Sequence, residues 1–286
     1  LVSIIIYLHK NKNYNWSLVA TSLILISIFD LSYVNYKIIE PSEKSYRSST
    51  LSPSITKKRY LNEDEIIKFL KQDTSNFRIL PTQPLDKENR WSAFNIESIY
   101  GYHPAKLNNY NEFMNNVGFS NTNILQMLNV KYLITFQKFD HDSFEEVFSG
   151  KLFHNNKYNK TNVYLYKNFI DRAFFVEKLK YIKSDDDAFK YLENNTKSFV
   201  KESLISEDLD LKNYTADGMI KFIKSFPNEI IIETNSNDDQ FLVLSEIYYP
   251  AGWKVFINDQ ESKIYEVNEL LRGVKLPEGN NIVRFK

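Results

Sequence analysis

The chain has 286 residues with 36 basic and 36 acidic side chains, so its formal charge is zero, which excludes a nucleic-acid binder held by a basic surface. A composition of 43% hydrophobic and 25% charged residues excludes global disorder, and the absence of cysteine excludes disulfides and thiolate chemistry. At roughly 150 residues per domain the length predicts about two domains and a sizeable core.

Residues 1–8 (LVSIIIYL) are almost wholly apolar and read as the end of a hydrophobic span. A short loop with Lys10 and Lys12 follows, and residues 16–34 (WSLVATSLILISIFDLSYV) then give an apolar stretch with one charge, Asp30. As a helix this stretch covers roughly 28 Å, close to the ~30 Å hydrocarbon core of a bilayer. A cleaved signal peptide is disfavoured because an apolar segment precedes the stretch and no small-residue cleavage site follows it. A buried core helix is the bland alternative. The two loop lysines place that loop in the cytoplasm by the positive-inside rule, with Trp16 at one interface and Tyr33 and Tyr36 near the other. The chain from about residue 36 onward is then extracytoplasmic. Asp30 reads either as a site facing a helix bundle or as an interfacial carboxylate near the end of the span.

Residues 40–54 are Ser-rich and bounded by prolines, and read as a linker. A helix is predicted over 61–72 with Asn62 as its N-cap, and further helices over 121–128 and 184–193, the last with Asp185, Asp186 and Asp187 in its first turn. Strands are predicted over 77–80, 130–136, 163–167 and 173–182. After about Gly218, seven short strands (219–226, 229–234, 241–247, 254–258, 262–268, 273–276 and 281–285) alternate with tight turns, a pattern that predicts an antiparallel β-sandwich. The expected class is α+β: transmembrane segments over 1–39, a linker, a mixed α/β extracytoplasmic domain over 55–205 and the sandwich over 206–286.

No phosphate-cradling glycine loop, nucleophile elbow or HExxH helix occurs. The four histidines (His9, His103, His141 and His154) lack metal-ligand spacing, so neither metal nor cofactor is expected. Two segments stand out. SIYGYHPAKLNNY (98–110) mixes aromatics with a His and a Lys, a combination that offers apolar faces and donors to sugars or lipid head groups. The alternative is a structured loop whose aromatics pack on the core. YYPAGW (248–253) is either a ligand platform or a plug at the end of the sandwich. The candidate acceptor contacts are Tyr102, His103, Lys106 and Trp253, with no catalytic residue among them.

The runs LSEIYYPAGWKVFIN (244–258) and IYEVNELLRGVKLPEGNNIVRFK (264–286) resemble the C-terminal end of bacterial YfhO-like membrane proteins. SIYGYHPAKLNNYNEFM (98–114), ILQMLNVKYLIT (124–135) and RAFFVEKLKYI (172–182) resemble further motifs of that family in the same order, so the resemblance covers nearly the whole chain. Asp171 stands where the family pattern leads one to expect proline. The resemblance implies a polytopic parent in the bacterial cell membrane with a GT-C-like core, passing a sugar from a polyprenyl-phosphate donor to an envelope glycan. It also implies that the catalytic carboxylate lies in an early outer loop that this chain lacks. Leu1 in place of Met, and a last strand that runs to Lys286, fit a piece of a longer protein. The rival reading is a non-catalytic membrane-anchored scaffold that binds a glycan or a protein.

Overall fold

The computed structural model describes residues 7, 10, 15–39, 54–209 and 213–286. The apolar stretch expected over 1–8 lies almost wholly outside the described residues, as does the linker proper. The chain forms two compact units, Leu1–Asn62 and Glu63–Lys286.

The first unit carries helix α1 (Trp16–Ile39), 24 residues with mean hydropathy 1.8. At 1.5 Å per residue it is about 36 Å long, enough to cross a bilayer. Only 6% of its most apolar window is buried within the protein, which is consistent with a membrane-anchoring helix. The hydroxyls of Thr21, Ser22 and Ser27 each donate to the carbonyl four residues back, which leaves these side chains without an unmet donor in an apolar setting. Near its C-terminal end, the Lys37 ammonium lies 4.3 Å from the centre of the Tyr33 ring. Helix α2 (Ser54–Tyr60) completes the described part of this unit.

The second unit has α+β architecture. Helix α3 (Glu65–Leu70) starts at Asp64 rather than at the expected Asn62. The reason is electrostatic as well as local: one Asp64 oxygen accepts from the Ile67 amide at 3.0 Å, while the other accepts from Arg90 at 2.6 Å and from the Phe153 amide at 3.0 Å. A buried carboxylate so paired fixes the start of the helix.

The first sheet runs in the order β2 (Glu97–Ser98), β1 (Arg78–Pro81), β3 (Val130–Thr135), β5 (Lys157–Tyr166), β4 (Phe144–His154). Strands β1, β2 and β3 are parallel, and the β4–β5 hairpin closes antiparallel on β3. Strand β4 was not expected from sequence. Its burial pattern is irregular and a bulge lies between Glu146 and Phe148, so the period-2 signal is lost. Asn155 and Asn156, both at positive φ, turn β4 into β5. Helices α4 (Asn108–Asn116) and α5 (Thr122–Met127) connect β2 to β3.

The predicted strand over 173–182 is two strands, β6 (Ala173–Phe175) and β7 (Leu179–Tyr181), on opposite edges of a second sheet. Helix α6 (Asp185–Asn194) then follows, with Ser184 as its N-cap as expected. The second sheet has the order β6, β11 (Gln240–Ile247), β15 (Leu271–Leu276), β14 (Tyr265–Val267), β8 (Ser203–Ile205), β7. A third, wholly antiparallel sheet has the order β13 (Gln260–Ser262), β12 (Val255–Ile257), β16 (Gly279–Phe285), β10 (Glu229–Ser236), β9 (Met219–Phe226). The seven strands expected after Gly218 are present, with 262–268 divided between β13 and β14. They do not form a separate antiparallel sandwich over 206–286: the second sheet takes in β6, β7 and β8 from earlier in the chain, and β7 pairs with β8 in parallel.

Alternating side chains feed successive cores. In β3, Tyr132 and Ile134 join a core with α3, while Val130 and Leu133 join the central core with the later helices. In β11, Phe241 and Val243 face the central core, and Leu242 and Leu244 face a third core shared with β10, β12 and β16. Gly273 in β15 is required here, because a Cβ would run into the Phe241 ring and Val267.

Glu269, in the β14–β15 turn, has its pKa pushed up to about 7 by burial, with Glu266 and Asp185 adding repulsion. Ionising it in the folded state is therefore unfavourable. That penalty is absent below the ordinary carboxylate range, grows as pH rises, and is complete above about pH 7. Thermal melts of the chain in detergent should show Glu269→Gln to be more stable at pH 8 by on the order of 1 kcal/mol, after allowing for partial solvent screening. The gain should fade by pH 4.5; an equal effect at both pH values would refute the assignment.

Candidate functional site

A cleft of about 780 Å³ opens where the segment after β2 meets the end of β11. Its floor is an ion-pair cluster. Arg78, the first residue of β1, donates to Glu246 at 3.1 Å, to the Ser245 hydroxyl at 2.9 Å and to the Leu128 carbonyl at 3.1 Å. Arg172, just before β6, donates to the same Glu246 oxygen at 2.6 Å, to Glu97 at 2.9 Å and to the Asn129 side chain at 2.9 Å. Burial acts to raise the Glu246 pKa, but the two guanidiniums outweigh it and hold the carboxyl below its ordinary range. Burial also lowers the Arg78 pKa, against the attraction of Glu246 and Glu97.

The walls come from the segment singled out in the sequence. Tyr102, His103 and Lys106 all line the cleft, together with Tyr100 and Tyr110. Asn89 fixes this loop with a two-way clasp: its side-chain oxygen accepts from the Tyr102 amide at 2.9 Å and its side-chain nitrogen donates to the Tyr102 carbonyl at 2.8 Å. Tyr102 as a whole is left 66% exposed. Nδ1 of His103 lies 3.1 Å from the Ala105 amide nitrogen and 3.0 Å from the Ala105 carbonyl oxygen, so the ring is held against its own loop. Tyr110 on α4 donates its hydroxyl to the Ile99 carbonyl, and burial raises its pKa, so it stays a neutral phenol. Asn109 donates to the Tyr248 carbonyl at 2.8 Å and so binds α4 to the segment after β11. The expected loop over 98–110 thus ends inside the first turn of a helix.

Trp253 does not join these residues at the cleft. It packs against the third core, and the Arg272 guanidinium covers its ring at 4.1 Å. Arg272 also donates to the Ile247 carbonyl at 2.8 Å, and burial lowers its pKa to about 10, partly offset by Glu246, so it remains a cation at neutral pH. Sequence reasoning did not pick out Arg78, Glu246 or Asn89. For Glu246 the one local signal is an acid at the end of the apolar strand β11, where a fully buried run gives way to partial exposure.

Among the described residues no group of three or more His, Asp or Glu side chains is placed to hold a metal ion. No family model, curated protein or solved structure matches the chain.

Replacing Glu246 by Gln leaves Arg78 and Arg172 facing each other across a neutral amide. Urea unfolding at neutral pH should show a loss of about 3 kcal/mol or more, since removal of one partner strands buried charge. Because the Glu246 pKa is depressed, its contribution should persist through mildly acid pH and disappear only below the ordinary carboxylate range. A variant as stable as the parent at pH 7 would show that the cluster is not what holds the floor.

Proposed function

We propose that this chain is the C-terminal, extracytoplasmic part of a multi-pass YfhO-like membrane protein of GT-C-like type, and that its cleft positions a saccharide acceptor. On this reading the parent moves a sugar from a polyprenyl-phosphate donor to an envelope glycan in the bacterial cell membrane, with α1 as one of its spans. The two C-terminal sheets, which enclose the third core, form a β-sandwich that carries one side of the cleft.

The observation that supports this reading is the cleft itself. It sets the exposed Tyr102 beside the polar side chains of His103 and Lys106, in a volume suited to a small ligand. Sugars present apolar C–H faces and a rim of hydroxyls, and both are met here. In the parent reaction an acceptor hydroxyl oxygen would bond to the anomeric carbon as the bond from that carbon to the phosphate oxygen breaks. The hydroxyl proton would pass to a base elsewhere in the parent. This chain orients the acceptor and supplies no base from the cleft floor, because Glu246 is ionised but doubly paired and has little basicity left.

The same pairing favours a second reading, a non-catalytic glycan-binding scaffold, since it leaves a polar cleft built to hold rather than to react. Full-length parent in membranes, assayed with labelled polyprenyl-phosphate sugars, separates the two. We expect transfer, and we expect Tyr102→Ala combined with His103→Ala to raise the acceptor KM about tenfold, equivalent to ~1.4 kcal/mol of lost contact. Transfer indifferent to the double substitution would remove this domain from the acceptor site. No transfer across a broad donor panel would favour the scaffold.

A further inference from the structure

The cleft continues beyond its aromatic wall. A second lobe of about 540 Å³ shares Asn89, Ser92, Ser98 and Tyr100 with the first, so the two are separated by a ridge that both of them touch. The far side of the second lobe is formed by Ser225 and Pro227, at the turn between β9 and β10. Ligand pockets commonly run to about 300–1,000 Å³, a range the first lobe already fills for a small ligand; the pair offers room for an extended one.

The second lobe carries its own mark of a missing partner. Trp91, in the short helical turn Arg90–Phe94, lines it and is 3% exposed, and its indole nitrogen has no acceptor among the described residues. A buried N–H donor left unmet is unfavourable, and native structures seldom keep one without a reason. The remaining lining selects the chemistry. The two acids of this lobe are already engaged, Glu88 with His154 at 2.6 Å and Glu97 with Arg172 at 2.9 Å. What is left is neutral and polar: the Asn95 side-chain amide, the Ser92 hydroxyl, which donates to the Asn89 carbonyl and can still accept, and the Ser98 hydroxyl, which accepts from the Tyr100 amide and can still donate.

From this we infer that the two lobes form one groove for a linear, neutral oligosaccharide longer than two units, with the far units accepting the Trp91 N–H through a hydroxyl or ring oxygen. The inference rests on the saccharide reading of the first lobe and adds chain-length recognition to it. The groove favours an internal stretch of a glycan chain over a lone terminal sugar.

The test is calorimetric titration of the full chain in lipid nanodiscs with α-1,4- and β-1,4-linked gluco-oligosaccharides of one to six units. Affinity in one series should rise about tenfold between the dimer and the tetramer. Ser225→Trp, a change at an exposed strand position, should abolish that rise. Trp91→Phe, which keeps the ring and removes the donor, should weaken tetramer binding about fivefold with the unfolding midpoint held near the parent value. Equal affinity for dimer and tetramer, or a rise that survives Ser225→Trp, would overturn the groove and leave the single-cleft reading standing. Failure of both series to bind, with Tyr102→Ala without effect, would remove the saccharide reading and the groove together.

Discussion

The Glu246 carboxylate is the joint on which the second unit turns. It sits at the end of β11, in the second sheet, and accepts from Arg78 of β1 and from Arg172 just before β6. Glu97 in β2 bridges the same two arginines from the other side, at 3.4 and 2.9 Å. Four segments far apart in sequence therefore meet in one electrostatic knot, and it joins the first sheet to the second. Two guanidiniums this close repel each other, and carboxylates alone make their proximity tolerable. The geometry of the cleft floor follows from that requirement, because the knot fixes where the end of β11 lies relative to the start of β1.

Around that joint the packing is layered, and the layers explain why the strands read as they do. Strands β1, β3, β6 and β11 are apolar on both faces because each face lines a different core. Such strands show short continuous apolar runs rather than strict alternation. Burial on both faces also makes them poor places for an exposed polar side chain. The polar groups of the site accordingly appear at strand ends and in the segment that follows β2, where the backbone leaves the sheets. The loop lining the cleft is held in place by the Asn89 clasp and by the bond from Asn109 to Tyr248.

This distribution also sets what could be read from the sequence. The strand over 219–226 and the Asn258-Asp259 turn were legible because local rules govern them: a period-2 run, and two residues that tolerate positive φ. Ser184 as a cap was legible for the same reason. That Tyr102, His103 and Lys106 share one loop was legible because aromatic, cationic and turn-forming residues are crowded into ten positions, and the structure sets all three along one cleft. Strand β4 was not, since its pattern is broken by a bulge and by uneven exposure of its outer half. Nor was the division of 173–182, where the chain crosses from one edge of a sheet to the other at Glu177-Lys178, a change that no local rule marks. Arg78, Arg172 and Glu246 are single charges in apolar surroundings, and their meaning exists only in the pairing.

Trp253 shows the same limit from the opposite side. As an isolated residue in YYPAGW it has the chemistry of a sugar platform, yet the fold assigns it a partner of its own. Arg272 lies opposite Glu266 in the β14–β15 pairing, donates to the Ile247 carbonyl, and rests its guanidinium on the indole face. One of its terminal nitrogens is buried with no acceptor among the described residues, so the ring takes up part of the positive charge that hydrogen bonding leaves unmet. A tryptophan used in this way supports a buried cation beside the Glu246 knot, and that contact takes up one face of its ring. Tyr102 differs in one respect that matters: the Asn89 clasp engages its backbone and leaves its ring uncovered. Which aromatic stays open and which becomes a prop depends on whether the fold has already covered its face.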